Sequence, residues 1–169
     1  TLAYVGVKGG MVIVNADDPS MFSSQNEQDN RYYARLAGIP LLEPTNTQEM
    51  KDFTVSAFDL SEELGLPILL RTTTRLNHIT GGVVLGELKP VKTKVVFQKN
   101  PSQFVTMPAN ARRMHKVLLE KYDQAQKIAE NSSLNQIIGD GKWGIVANGV
   151  SFDYVKDAVS DLGISDNVS

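Results

Sequence analysis

The chain has 169 residues, 41% hydrophobic and 21% charged, with 17 lysines and arginines against 19 aspartates and glutamates. This composition is typical of a folded globular protein, and the net charge of −2 gives no electrostatic basis for binding nucleic acid or an anionic membrane. The lack of cysteine excludes disulfides, thiolate-bound zinc, iron–sulfur ligation and cysteine nucleophiles within these residues, and two histidines make a histidine-rich metal site unexpected. No apolar run approaches the roughly 18 residues that indicate a membrane span.

The first predicted element is a strand at residues 11–16, where an apolar, β-branched run follows two glycines. Continuous apolarity predicts a strand that is buried on both faces, as in a parallel sheet. A helix is expected over 27–37, because Gly38 is a typical helix stop. A second short strand is expected over 40–44.

A second helix is predicted from Thr47 to about Leu64. Asn46 can cap its first turn, and Glu49 places a carboxylate at the positive end of the helix dipole. Four apolar residues recur at helical spacing and predict one buried face: Phe53, Ala57, Leu60 and Leu64. A third strand is expected over 66–74, and the alternation of strands and helices predicts a parallel α/β fold.

After the third strand the pattern changes. A candidate short strand at 82–86 precedes a stretch with several prolines, which predicts a connector. A long helix is predicted over 109–131, followed by a strand at 143–147, a tight turn at 148–149 and a helix at 152–162. The apolar stripe of the long helix consists of Met114, Leu118, Tyr122, Ala125 and Ala129.

The run from Ala16 to Arg31 has the distinctive sequence ADDPSMFSSQNEQDNR. Other distinctive segments follow it in order: YAR at 33–35, PLLEP at 40–44, PILLRTTTR at 67–75, MPANARR at 107–113 and GVSFDYVK at 149–156. With these segments the chain resembles the thiamine-diphosphate-dependent 2-oxoacid:ferredoxin oxidoreductases, and in particular the large (alpha) subunits of their indolepyruvate-type members.

The resemblance implies a division of the chain into three stretches. Residues 1–88 would be the C-terminal part of a pyrimidine-binding domain, and 89–141 a connector that contains the long helix. Residues 142–169 would be the opening strand and helix of a transketolase-C-terminal-like domain. The family's cofactor-binding glutamate, its diphosphate and magnesium site and its cluster cysteines would then lie elsewhere in a longer parent chain.

The activity that the resemblance implies is oxidative decarboxylation of an aryl 2-oxoacid such as indolepyruvate to acyl-CoA, with electrons passed to ferredoxin. The complete enzyme would carry thiamine diphosphate with Mg and 4Fe–4S clusters, none of them fully bound by this chain. It would be a cytoplasmic oligomer with a smaller beta subunit, and this segment alone would be inactive. The alternatives are the same chemistry on pyruvate or another 2-oxoacid, and a non-catalytic interaction domain.

Five polar residues of the long motif are the main candidates for the cofactor and substrate pocket: Ser23, Ser24, Gln25, Asn26 and Gln28. They follow a predicted parallel strand at its carboxyl end, where α/β sheets place their ligands. The resemblance implies that related enzymes line the active site with this loop. The alternative is a purely structural capping box, in which Ser24 and Glu27 begin the next helix.

Two groups of charged residues near the loop have both a functional and a structural interpretation. Asp17 and Asp18 fit a turn at the strand end better than an acid–base or metal site. Asp29 is expected to pair with Arg31 or Arg35, either to orient the loop or, preferably, on the helix surface.

Weaker site candidates are Arg71, Arg75 and His78, placed at the end of the third strand. The arginines could grip a carboxylate or a phosphate, although a salt bridge between domains fits equally well, and a single histidine is a weak candidate for a catalytic base. The sequence Gly-Asp-Gly at 139–141 with Asn167 has the spacing of a thiamine diphosphate–magnesium motif. Because a strand is predicted directly after it, where that motif needs a helix, no metal site is predicted.

Overall fold

The fold is described from a computed structural model, which covers residues 1–88 and 96–169. Three strands form one parallel sheet in the order β1-β3-β2: β1 Val12–Asp17, β2 Leu41–Leu42 and β3 Ile68–Thr73. The helices of the described residues are α1 Leu2–Val5, α2 Arg31–Ala37, α3 Thr47–Leu64, α4 Thr74–Asn77, α5 Pro101–Phe104, α6 Pro108–Glu130 and α7 Val150–Asp161, with a 3-10 turn at Ser165–Asn167. The predicted α/β class with a parallel sheet and flanking helices is confirmed.

The centre of the sheet is β3, in which all six residues are buried. Val12 of β1 pairs with Ile68, and the register continues to Asp17 opposite Thr73. The two strands therefore end side by side, so the residues that follow Asp17 and the residues that follow Thr73 meet at one edge of the sheet. The core beneath the helices is apolar: Ala3, Ala34, Ile39, Ala57, Leu64, Leu66, Ile68, Leu69 and Leu118.

The first strand is not buried on both faces, and that part of the prediction is wrong. Within the described residues β1 pairs only with β3, so it forms an edge of the sheet. Val14 is 65% exposed, whereas Asp17 at the end of the strand is 1% exposed. The apolar run therefore correctly predicts a strand, but it does not predict the position of that strand in the sheet.

The predicted second helix is confirmed as α3, which begins and ends as its capping residues indicate. The side-chain oxygen of Asn46 accepts the N–H of Glu49 at 3.0 Å, and the Glu49 carboxylate accepts the N–H of Thr45 at 2.8 Å. Gly65 ends the helix in the left-handed conformation. The buried face differs at one position, because Ser61 is buried where Leu60 was expected and donates its hydroxyl to the carbonyl of Leu66 at 2.6 Å.

Replacing Asn46 with alanine should weaken the first turn of α3. The loss of one capping bond costs about 1 kcal/mol, which corresponds to a roughly fivefold faster amide exchange in that turn. Hydrogen exchange followed by mass spectrometry measures this directly. The control is Asn46→Asp, which keeps the accepting oxygen and should leave exchange near the original rate; equal rates in all three proteins would contradict the capping role.

The long helix is confirmed as α6, which begins at Pro108 and ends at Glu130, one residue earlier at each end than predicted. Its apolar stripe is only partly correct. Met114 and Leu118 are buried, but Tyr122 and Ala129 are exposed. Ala125 of the predicted stripe is partly buried against the core, and Ile128, which was not predicted, completes that side of the helix.

Two other predicted strands are absent from the described residues. Residues 82–86 have no regular structure, and residues 143–147 contribute only a single bridge between Trp143 and Val168. Backbone bonds of 2.8–3.0 Å join Trp143 and Ile145 to residues 167–169, but the pairing extends no further, and the side chains of Trp143 and Val146 are exposed. The helix predicted over 152–162 is confirmed as α7, which begins two residues earlier.

The proposed division at residues 88 and 141 stays a prediction, and the start of the connector, 89–95, lies outside the described residues. Among the helices that the structure describes, none combines the length and the apolarity needed to cross a membrane.

Candidate functional site

The loop after β1 is organised around the carboxylate of Asp18. Its oxygens accept the backbone N–H groups of Phe22 at 3.1 Å, Ser23 at 2.8 Å and Ser24 at 2.7 Å. The residue is 4% exposed, so these bonds are shielded from water. Three successive amides bound to one carboxylate fix the path of the chain through the first part of the loop.

Two residues in this turn have a left-handed backbone. Ser20 has φ 69° and Met21 has φ 55°, a conformation that side-chain-bearing residues adopt rarely and at a cost of about 1–3 kcal/mol each. They reverse the chain so that the following N–H groups converge on Asp18. Such backbone strain clusters at functional sites, which adds weight to this loop as a candidate.

The carboxylate of Asp18 also joins the loop to the end of β3. The hydroxyl of Thr74 donates to it at 2.6 Å, and the same hydroxyl lies 3.2 Å from the carbonyl oxygen of Asp17. The Thr74 hydroxyl, followed by the amides of Ser23 and Ser24, holds the pKa of Asp18 well below its usual range. Asp18 is therefore an ionised turn former, as the sequence favoured. No group of three potential metal ligands occurs in the part of the chain that the structure describes.

The far end of the loop is held by Asp17. Its carboxylate accepts the N–H of Asn30 at 2.7 Å and the side-chain amide of Asn15 at 2.6 Å. The side chains of Asn30 and Asn15 are joined by a further bond of 2.8 Å. Both ends of the loop between Asp17 and Asn30 are thus tied to the sheet.

Arg71 neutralises the buried charge of Asp17. It lies inside β3 and not at its end, is 3% exposed, and donates through Nε to Asp17 at 2.6 Å. It also pairs with Glu43, and its Nη2 lies 3.7 Å from Asp29. These acidic partners are all within the first stretch of the chain, so the expected salt bridge between domains is not what Arg71 forms. Its role in gripping a ligand stays a prediction.

Glu43 extends this network toward the C-terminal helix. Its second carboxylate oxygen accepts the side-chain amide of Asn148 at 3.0 Å. Gly149 follows with φ 54° and ψ −148°, and a Cβ at this position would lie 2.5 Å from the Glu43 carboxylate. Glycine is therefore required there both for the backbone conformation and for the close approach.

The surface pair expected at the start of α2 is formed by Asp29 and Arg31. Two bonds of 2.8 and 2.5 Å join the guanidinium to the carboxylate. The bond from Arg31 lowers the pKa of Asp29 to about 2. The pair lies beside the first turn of the helix and fixes the last residues of the loop.

Replacing Arg31 with glutamine should raise the pKa of Asp29 from about 2 toward its ordinary value of 3.8. Because the folded-state pKa is depressed, the pair stabilises the fold fully above the unfolded pKa, and that contribution disappears as the pH falls toward 2. Carboxyl-detected NMR titration of the chain measures the shift. Arg35→Gln is the control and should leave Asp29 unchanged; a pKa that follows Arg35 instead would overturn the assignment.

Three of the five main candidates, Ser23, Ser24 and Gln28, are held by a backbone bond to Asp18, while most of the five side chains stay uncommitted. Ser23, Gln25 and Asn26 are exposed, and Ser24 and Gln28 are half-buried. The hydroxyl of Ser23 makes one long contact of 3.5 Å with Asp18. Within the described residues, the other four side chains have no hydrogen-bond partner. The loop therefore presents free polar side chains from a segment whose backbone is held by Asp18 at both ends.

The capping-box alternative is wrong. The helix α2 begins at Arg31, its N-cap is Asn30, and no side chain caps it. Ser24 and Glu27 lie in the loop that precedes the helix, because the amide of Ser24 is already bound to Asp18. The residues between them, Gln25 and Asn26, therefore lie outside the helix and remain candidates for the pocket.

The remaining candidates lie just after β3. The guanidinium of Arg75 lies 5.8 Å from the ring centre of Phe22 and 5.2 Å from that of Tyr154, and it donates to the Tyr154 hydroxyl. Arg75 is exposed and borders the loop through Phe22. His78 ends α4 with an exposed ring that has no hydrogen-bond partner in the described part of the chain.

Sequence reasoning missed the residues that hold the loop in place. Thr74 and Glu43 make their contacts through tertiary structure, whereas Asn15 binds Asp17 two residues later in the same strand. The run of three threonines at the end of a buried strand is a usable signal for Thr74, since hydroxyls at a strand end commonly bind a neighbouring turn.

Curated relatives match almost the entire chain. Indolepyruvate oxidoreductase subunit IorA of Methanothermobacter marburgensis is 52% identical over 167 residues, which covers 97% of this chain. The IorA subunits of Pyrococcus abyssi and Archaeoglobus fulgidus are 51% and 45% identical over 99% and 98% of the chain. The chain belongs to the IorA family.

The chain spans about 27% of the length of these IorA relatives. No protein-family model matches it. The family assignment made from the long motif is therefore confirmed, while the activity of the complete protein is a proposal.

Proposed function

We propose that this chain forms part of the catalytic subunit of a thiamine-diphosphate-dependent oxidoreductase. The complete enzyme decarboxylates aryl 2-oxoacids such as indolepyruvate oxidatively to acyl-CoA and passes the electrons to ferredoxin. The observation that carries the proposal is 52% identity to a protein named indolepyruvate oxidoreductase subunit IorA over nearly the whole chain. The proposal includes that the 169 residues have no such activity alone.

The loop after β1 is the part of the proposed pocket that these residues supply. Ser24, Gln25, Asn26 and Gln28 lie beyond the carboxyl end of a parallel strand, where α/β folds bind their ligands. A 2-oxoacid presents a carboxylate and a carbonyl oxygen that becomes negatively charged during reaction. Side-chain amides and hydroxyls on a fixed backbone can donate to both without reorganising.

The residues fit part of a cofactor site and not the whole of it. Amide and hydroxyl groups suit the polar edge of a pyrimidine ring, and the four uncommitted side chains offer both donors and acceptors. No cluster of potential metal ligands is present in the described residues, so the diphosphate and its Mg are proposed to bind elsewhere in the complete enzyme. Thiamine diphosphate, when bound, supplies the carbon nucleophile and the electron sink.

The remaining components also lie outside this chain in the proposal. These residues contain no cysteine, so the 4Fe–4S clusters are held by other parts of the enzyme. The relatives are named as subunits, which supports a complex of more than one kind of chain. We propose a smaller beta subunit as its partner, with CoA and ferredoxin as the acyl and electron acceptors.

The test is turnover of indolepyruvate by the complete enzyme with single alanine substitutions at Ser24, Gln25, Asn26 and Gln28. At least one should lower kcat/KM by tenfold or more, since loss of one donor to a developing negative charge commonly costs about 100-fold or more. The control is Gln124→Ala, an exposed glutamine on α6. Unchanged kinetics in all four variants would remove the loop from the pocket.

Substrate preference distinguishes an enzyme for aryl 2-oxoacids from one that acts on pyruvate or another 2-oxoacid. The parent enzyme is expected to turn over indolepyruvate and phenylpyruvate with a higher kcat/KM than pyruvate. Equal or better use of pyruvate would favour the same chemistry on a different 2-oxoacid. Turnover without added or bound thiamine diphosphate would contradict the proposed chemistry itself.

A further inference from the structure

A cleft of about 200 Å³ lies where the loop after β1, the end of β3 and the start of α7 meet. Phe22, Thr73, Arg75 and Tyr154 line it together with the first residues of α7. Its volume suits a single small group and not a complete cofactor, since pockets for drug-sized ligands have volumes of roughly 300–1,000 Å³. Three of its features favour a negatively charged group.

The first feature is the charge of Arg75. No carboxylate pairs with it among the residues described, in contrast to Arg71 and Arg31, which are both bound to acidic side chains. The rings of Phe22 and Tyr154 hold the guanidinium in position. Because one donor is used by the Tyr154 hydroxyl, the other N–H groups are available to an oxyanion.

The second feature is a buried hydroxyl without a partner. Thr73 is 5% exposed. Its Oγ1 is buried and has no hydrogen-bond partner among the residues that the structure describes. Buried polar groups are nearly always paired, so an unpaired one requires an explanation. An oxygen-bearing group in the cleft that Thr73 lines would provide the missing acceptor.

The third feature is the start of α7, which has no side-chain cap. The helix has 12 residues, and its N-cap is Gly149, so no side chain caps its first turn. The backbone N–H groups of Val150 and Ser151 therefore lie at the positive end of the helix beside the cleft. Asp153, the acidic residue of this turn, is paired with Lys156 at 3.3 Å.

We propose that this cleft binds a phosphate group, either as the free ion or as part of a nucleotide. Arg75, Thr73 and the start of α7 are donors that reach it from three different elements of the fold. A tetrahedral oxyanion can accept from all three, and both a guanidinium and the start of a helix are groups that commonly bind phosphate. The site does not depend on the proposed catalytic activity, and its test does not use turnover.

Isothermal titration of inorganic phosphate into the full-length protein tests the proposal. Arg75→Gln should lower the affinity of one phosphate site by at least tenfold. Arg112→Gln removes an exposed arginine from α6 and should change nothing. Phosphate sites elsewhere contribute equally to every variant, so the comparison isolates the cleft. Identical titrations of the wild-type and Arg75→Gln proteins, or no phosphate binding at all, would overturn the proposal.

Thr73→Val separates binding from folding. The substitution keeps the shape of the side chain and removes a hydroxyl that has no partner in the protein. We expect an unchanged or higher Tm without phosphate, together with at least a tenfold weaker phosphate site. A lower Tm with an unchanged phosphate affinity would mean that the hydroxyl serves the fold, and would overturn the site.

Competition identifies the group and its source. Acetate should not displace phosphate at equal concentration, and if it does, the assignment to phosphate is overturned. Adenosine 3′,5′-bisphosphate that binds more tightly than inorganic phosphate, and loses this advantage in Arg75→Gln, assigns the site to a nucleotide phosphate. Equal affinities for the two probes, both weakened in Arg75→Gln, assign it to the free ion.

Discussion

Replacing Arg71 with leucine should open the parallel pairing of β1 with β3. Arg71 is the cation that faces two buried carboxylates, Asp17 and Glu43, whose side chains are 0% and 9% exposed. Removing one partner of a buried ion pair costs about 3–5 kcal/mol, because the remaining charge is left without compensation. The expected effect is amide exchange in both strands that is roughly a hundred to several thousand times faster.

Hydrogen exchange and mass spectrometry on the full-length protein would measure this in peptides that cover the two strands. Arg112→Leu, at an exposed position on α6, is the matched control and should exchange at the original rate. Arg71→Lys keeps the charge and loses the forked geometry, so its effect should be intermediate. Exchange in Arg71→Leu within a factor of three of wild type would show that the ion-pair network does not hold the strands.

Replacing Asp18 with alanine should release the loop that carries the pocket candidates. The amides of Phe22, Ser23 and Ser24 would lose their common acceptor, and their exchange should become at least about ten times faster. Asp18→Asn keeps one accepting oxygen without the charge, so its amide exchange should be faster than in the wild-type protein and slower than in Asp18→Ala. The exposed Asp123→Ala on α6 serves as the control.

The same carboxylate predicts an acid dependence. The pKa of Asp18 is lowered in the fold by the Thr74 hydroxyl and by the loop amides. Its contribution to stability is therefore complete above the unfolded pKa of about 3.9 and decreases as the pH falls below that value. In the wild-type protein the protection of the loop amides from hydrogen exchange should decline in strong acid. In Asp18→Ala the part of this decline that is due to protonation of Asp18 should be absent.

Activity of the complete enzyme links the loop to its proposed role. If the loop lines the pocket, Asp18→Ala should lower kcat/KM by tenfold or more, because small displacements of positioning groups are costly. Asp123→Ala should not. If the loop amides of Asp18→Ala exchange faster while the enzyme keeps full activity, an ordered loop is not needed for catalysis. That result would count against the proposed pocket.

Local patterns in the sequence were sufficient for the elements that depend on local interactions. The helix α3 was predicted from its cap at Asn46, its apolar spacing and the glycine that follows Leu64, all of which act within a few residues. The strand β3 was recognised from an apolar run and lies within the predicted range. For these elements local preference and tertiary structure agree.

The errors arose where a distant partner decides the outcome. The alternative in which Ser24 caps a helix is wrong, because its amide is bound by Asp18, which is held in turn by Thr74, 56 positions later. The exposure of Val14 depends on the strand order of the sheet, which no local pattern encodes. The strand expected at Trp143 has a single bridge to Val168, a partner 25 positions later that no local pattern indicates.

The candidate site also combines features that local sequence predicts with features that depend on distant partners. The loop lies beyond a strand end, as predicted, and the interpretation as a turn former holds for Asp18, whereas Asp17 forms a buried ion pair with Arg71. That Arg71 lies within β3 and neutralises Asp17 across 54 positions could not be derived from spacing. Residues that hold a site are therefore harder to find in a sequence than residues that present groups to a ligand.

The pairing of β1 with β3 has a consequence for the order of events during folding. Val12 meets Ile68 more than 50 positions later in the chain, so the ends of a long segment must come together before the sheet exists. Until then Asp17 lacks Arg71 and Asp18 lacks Thr74, and the loop has no fixed path. The motif that identifies the family should consequently be among the last parts of this chain to become ordered, and it should be exposed to proteases and chaperones for longer than α3.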